Sequence, residues 1–168
     1  MSTRPVKRPL RMKLTGPASL KKVPRPPLAS SPRVSVSMRG NRGKGTGPEE
    51  RLVAALKSTG VRGLRRNAHG LPGRPDLVFT KSRLVVFVHG CFWHRCPHHR
   101  WALPKSNTEY WRLKFRLNQE RDKRKERELK EAGWRVLTVW ECEIHEKLRA
   151  CVEEVRGAVS LDDQGSTR

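Results

Sequence analysis

The chain has 168 residues, enough for one ordinary domain. Thirty-seven Lys and Arg against sixteen Asp and Glu give a net charge of +21, which favours a partner covered in phosphate, nucleic acid first and an anionic membrane second. No apolar run approaches the roughly 18–20 residues of a spanning helix, and four cysteines in a basic chain that shows no secretory signal point to a reducing compartment, where clustered Cys and His bind metal more often than they pair.

Residues 1–40 hold ten Lys/Arg, no acid, and many Pro and Ser. They carry about half the charge and leave +11 for residues 41–168. Without apolar periodicity such a stretch cannot bury a core, so 1–40 is expected to be a disordered basic extension. It reads as a DNA-tethering arm, a solvated tail, or sequence upstream of a start at Met38. A globular domain is expected over 41–158, with a polar tail over 159–168. "GPEERLVAALKSTG" reads as a helix, with Pro48 near its start, acids in its first turn and Gly60 at its stop. "RPDLVF" (74–79) and "RLVVFVHG" (83–90) read as an antiparallel hairpin. Residues 107–134 read as one long or broken helix ended by Gly133. "RVLTVWEC" (135–142) is a third strand and "EIHEKLRACVEEVRGAV" a final amphipathic helix. The order α-β-β-α-β-α predicts an α/β domain, one central sheet with helices on its faces.

"VHGCFWHRCPHH" (88–99) packs two cysteines and four histidines into twelve positions. Zinc takes four thiolate or imidazole ligands in a tetrahedron. Cys91, Cys96 and His98 or His99 lie just after the second strand, and Cys142 ends the third. If those strands are adjacent and aligned, all four ligands reach one sheet end. The two-residue gap from Cys96 favours His99. Such a zinc is structural, because four protein ligands leave no open position. Cys151, on the final helix, reads as a core residue. Asp76 begins the first hairpin strand, and a hard cation such as Mg²⁺ wants such an oxygen. The next strand ends in His89 and leads to His94, and a neutral histidine beside the carboxylate can take a proton from a water attacking phosphorus. Phe92 and Trp93 read either as a wedge between DNA base steps or as cover for the zinc loop.

"GRPDLVF", "FVHGCFWHRCPHH", "PKSNTEYW", "NQERD" and "GWRVLTVWECE", in this order, resemble the very short patch repair (Vsr) DNA mismatch endonucleases over about residues 38–145. The resemblance implies a restriction-endonuclease-like (PD-(D/E)XK-related) central mixed sheet flanked by helices, with a structural zinc. It implies a Mg²⁺-dependent nick 5′ to the thymine of a T:G mispair left by deamination of 5-methylcytosine. Asp76 would hold Mg²⁺ together with the backbone carbonyl of Val88, where family members can have Thr. His94 would be the general base, Glu49 would hold His94 or a water on the metal, and His89 would lie beside the cleaved phosphate. Phe92, Trp93 and Trp111 would form the wedge, and Lys114 and Asn118 would reach base edges. Some members carry His in place of Cys96 with Cys soon after, so both His98 and His99 stay open as ligands. The "DLVFTKSRLVVF" hairpin lacks the Glu-x-Lys of the wider nuclease superfamily, as does this family. The expected setting is the bacterial cytoplasm at the nucleoid, the expected partner T:G-mismatched double-stranded DNA, the expected state a monomer, with other mismatch-repair proteins as further partners. The competing reading is a non-catalytic zinc-containing DNA-binding module.

Overall fold

The computed structural model describes residues 45–160. The basic extension and the polar tail beyond Ser160 lie outside the described residues. The elements are α1 (Gly47–Ser58), β1 (Leu64–Arg66), β2 (Leu77–Phe79), β3 (Leu84–His89), α2 (Cys91–His94), α3 (Thr108–Glu131), β4 (Arg135–Trp140), α4 (Glu141–Glu146) and α5 (Leu148–Ser160). They form one four-stranded sheet in the order β1-β2-β3-β4. β1–β2 and β2–β3 are antiparallel and β3–β4 parallel, so the sheet is mixed.

β3 is central, and its run Leu84-Val85-Val86-Phe87 is buried on both faces, as an unbroken apolar strand must be. On one face Leu84 and Val86 join Leu52 and Leu56 of α1 and Val152 and Val155 of α5. Cys151 lies in this core, as its place on an amphipathic helix predicts. On the other face Val85 and Phe87 pack with Val78 and with Leu129 of α3. Among the described residues the molecule is therefore a helix–sheet–helix sandwich, with α3 the helix that packs on the second face.

Four details differ from the sequence reading. β1 is an added edge strand: Leu64-Arg65-Arg66 is too short and too charged to show alternation, and edge strands favour both traits. The loop after β3 contains a helical turn, α2, closed by Arg95 in the left-handed region at φ 57. The third strand stops at Trp140, so Cys142 sits in the first turn of α4. The expected final helix is two helices, broken where Lys147 takes φ −136 and ψ 40 without a Gly or Pro to announce it. The long helix is continuous, and Gly133, at φ 79, follows its end. The parallel register pairs His89 with Trp140, which brings the chain after β3 and the chain after β4 to the same sheet edge.

Candidate active site and metal centre

Both constellations of the sequence meet at that edge. Cys91, Cys96, His99 and Cys142 place one ligand atom each within 4.8 Å of one another. Cys96 Sγ is 3.7 Å from Cys142 Sγ and 3.7 Å from His99 Nδ1. A tetrahedral zinc with Zn–S of about 2.3 Å sets its sulfurs about 3.8 Å apart, so the donor set and its spacing fit that ion. His98 is engaged elsewhere: its Nε2 lies 3.1 Å from Oε1 of Glu143. The ligand-ready histidine is therefore His99. Glu143 also accepts the Trp140 N–H, and Glu141 accepts the Cys91 N–H, so the turn after β4 braces the loop after β3. Burial pushes the Cys91 thiol up to about 12 and raises Cys142 as well. Only a cation would make these buried groups thiolates together.

His89 and His94 of the second constellation, with Asp122, line a cleft of about 250 Å³ between α3 and the ends of β3 and β4. Asp76 enters from the turn before β2, and its Oδ2 accepts the Val88 N–H at 2.8 Å. That bond fixes the carboxylate one residue from His89. Burial raises the Asp76 carboxyl to about 6; the Val88 N–H opposes this, and the nearby Glu49 carboxylate adds to it. His89 and His94 stack with ring centroids 3.9 Å apart and planes at 10°. Burial, with His94 beside it, pulls His89 down to about 4, so this ring is neutral at physiological pH.

His94 Nδ1 lies 2.5 Å from Oδ2 of Asp122 on α3. Burial works against an ionised Asp122, yet the hydrogen bond and charge of His94 hold its carboxyl below the ordinary value. An ionised carboxylate only accepts, so Nδ1 carries the proton and Nε2 is left as the basic nitrogen. The sequence carries a signal for Asp122. Trp111, Phe115, Asn118, Asp122, Lys125 and Leu129 recur at spacings of four and three, the inward stripe of α3. The stripe is apolar at its ends and polar in its middle, and polar groups on an inward face call for a function. A lysine- and arginine-rich context hides that pattern.

Glu49 is buried, and its carboxylate accepts from Gly45 N and Thr46 Oγ1; the group that holds His94 is Asp122 rather than Glu49. Phe92, Trp93 and Trp111 form one aromatic cluster with Phe115, with centroids 5.2 to 6.0 Å apart. Trp101 joins at its exposed rim. Lys114 is half-buried on α3. Asn118, expected at base edges, is engaged within the protein. It is buried, its amide donates to the Trp93 carbonyl at 3.0 Å, and its Oδ1 accepts from Arg121, so it fastens the aromatic loop to α3.

His89, His94 and the Asp122 carboxylate gather in one cleft of a strongly basic chain, with Asp76 held on the Val88 N–H beside them, an arrangement suited to moving a proton next to a phosphate of nucleic acid. The comparisons give the family. A model described as DNA mismatch endonuclease Vsr matches residues 29–103. The type II nicking enzyme V.XorIIP of Xanthomonas oryzae pv. oryzae is 48% identical over 103 residues, 61% of this chain and 75% of that protein. The type II nicking enzyme V.NaeI of Lentzea aerocolonigenes is 45% identical over 125 residues, 72% of this chain and 73% of that protein. DNA mismatch endonuclease Vsr of Escherichia coli is 43% identical over 133 residues, 79% of this chain and 78% of that protein. The chain belongs to the Vsr family of DNA mismatch endonucleases.

Proposed function

We propose that the protein is a Mg²⁺-dependent, strand-specific endonuclease that nicks 5′ of the thymine in T:G mispairs arising from deaminated 5-methylcytosine. The observation that supports this reading is that Asp76 is held on the Val88 N–H, one residue before His89, and that the His89 ring stacks on the Asp122-held His94. A buried carboxylate that ionises only at about 6, with Glu49 nearby, fits a divalent cation whose charge offsets both. Asp76, with the Val88 carbonyl, would hold Mg²⁺, which when bound supplies charge stabilisation at the phosphoryl oxygens.

His94 takes the proton of the attacking water at Nε2, and Asp122 keeps the ring oriented and stabilises its charged form. His89, neutral and stacked on His94, donates a hydrogen bond to the phosphate without adding a competing charge. Phe92, Trp93 and Trp111 insert beside the mispair. A T:G wobble stacks less well than a matched pair, so opening that step costs less and the wedge reads deformability. Lys114 reaches base edges in the groove while its basic neighbours on α3 hold the backbone, and the Cys91–Cys96–His99–Cys142 zinc fastens the loop that carries the wedge and His94. The enzyme acts as a monomer on double-stranded DNA at the bacterial nucleoid, alongside other mismatch-repair proteins.

The test is incubation of end-labelled duplexes, with and without one T:G pair, in Mg²⁺. A single nick 5′ of the thymine, in the mismatched duplex alone, is expected. Binding without any nick would instead make the protein a zinc-bearing DNA-binding module.

A further inference from the structure

Lys125 is a cation at the histidine cleft. It lies on the inward stripe of α3, three residues after Asp122, and lines the same cleft. Its neighbours Lys123 and Lys130 on α3 are exposed, whereas Lys125 is half-buried. Its methylene chain is seated against the turn that leads to Asp76. A Cβ built on Gly73 would stand 2.7 Å from Lys125 Cδ, 3.1 Å from its Cγ and 3.2 Å from Phe87 Cζ. Gly73 also has φ +77, so both space and backbone keep that turn clear for the lysine.

The ammonium end reaches the dyad. Nζ is 3.9 Å from Oδ1 of Asp122, whose Oδ2 is the oxygen on His94 Nδ1. Asp76 and His89 also feel its charge. Burial pulls the lysine below its usual range, and Asp122 opposes the fall. An ammonium drawn out of water for a solvated i,i+3 pair gains little. Here it stands beside the Asp122 carboxylate in the cleft, with the charge of Asp76 also acting on it.

We infer that Lys125 is a positioning residue of the nicking site: its ammonium holds one oxygen of Asp122, which keeps the other on His94 Nδ1 and leaves Nε2 as the proton-accepting atom. The inference rests on the reading of His94 as general base. Lys125 acts through Asp122, so its loss alters the orientation of the base and not the grip on DNA.

Lys125→Met retains the apolar chain against Gly73 and Phe87 and removes the charge; Lys125→Arg retains a charge. Three measurements are made on the full chain with zinc retained. They are single-turnover nicking of T:G duplex with enzyme in excess, affinity for that duplex without Mg²⁺, and the ¹⁵N spectrum of the His94 ring without DNA or Mg²⁺, at alkaline pH where an imidazole carries one proton. For Lys125→Met the rate is expected to fall about tenfold, the low end for removing a group that orients a site residue. Affinity should change less than about twofold, a factor worth under half a kcal/mol. The ring spectrum should pass from the Nδ1–H form to a mixture of tautomers, and Lys125→Arg should recover most of the rate. Parental nicking by Lys125→Met overturns the inference. So does a slowed variant whose ring spectrum is unchanged, or one whose affinity falls as far as its rate. His94→Ala separates the two levels. If it nicks at the parental rate, the base assignment fails; if it is inactive while Lys125→Met is unimpaired, only the positioning role fails.

Discussion

Asp76→Asn should abolish nicking and at the same time stabilise the Mg²⁺-free protein. The amide keeps an oxygen for the Val88 N–H but carries no charge into the site. The carboxyl titrates at 3.8 ordinarily and at about 6 in the folded chain. A folded value above the unfolded one means that the carboxyl's contribution is fully retained below about 3.8 and lost as pH rises through about 6. The loss integrates to about 3 kcal/mol at pH 8 and about 1.6 kcal/mol at pH 5, since each tenfold costs about 1.4 kcal/mol. Asp76→Asn should remove that loss, so its advantage over the parent is about 3 kcal/mol at pH 8 and about half that at pH 5. In thermal unfolding at pH 8 this corresponds to roughly 6–12 °C in Tm, at about 2–4 °C per kcal/mol. Urea unfolding at both pH values, with Mg²⁺ omitted and zinc retained, measures the difference directly. Added Mg²⁺ should stabilise the parent and leave the variant unmoved. A variant no more stable than the parent at pH 8, or equally advantaged at pH 5 and 8, would refute burial as the origin of the shift. Loss of activity with gain of stability is the mark of a carboxylate kept for chemistry.

Cys91→Ser and Cys142→Ser should each release zinc and loosen the loop with Phe92, Trp93 and His94, while Cys151→Ser keeps the metal; elemental analysis of the purified variants decides, since a four-ligand site contributes its binding energy to folding. Asp122→Asn should lower single-turnover nicking by about 10²–10⁴-fold with T:G affinity retained, because the amide no longer holds His94 in one tautomer. Trp93→Ala should weaken binding to T:G duplex more than to matched duplex and leave the salt slope unchanged, as isotherms at several salt concentrations would show. Equal weakening of both duplexes would make Trp93 cover for the zinc loop alone.

Local patterning was enough for the longer elements and for the chemistry of the ligands, though not for β1, α2 or the break between α4 and α5. A short β-branched apolar run such as Leu84–Val88, bounded by turn residues, favours a buried strand, and three thiols with an imidazole near two strand ends can gather round one zinc. The sequence also determined that Asp76, His89 and His94 would share a sheet edge, because a hairpin with a short turn carries its two ends together. It could not choose between His98 and His99. That choice depends on Glu143, forty-five positions away in the chain from His98, which engages the first and leaves the second to the sulfurs. It could not show that Asn118 faces inward, since a polar residue on a basic helix suits solvent equally well until Trp93 supplies a carbonyl for it to meet. Nor could it name Asp122 as the partner of His94 and Lys125 as the partner of Asp122. Those contacts exist because the parallel pairing of β3 with β4 lays α3 across the sheet, and only that packing turns its polar stripe toward the histidines. Local patterning decides which segments form and which face is apolar. Which polar groups meet is decided by long-range packing, because the energy of such a contact arises only when the surrounding elements have excluded water from it.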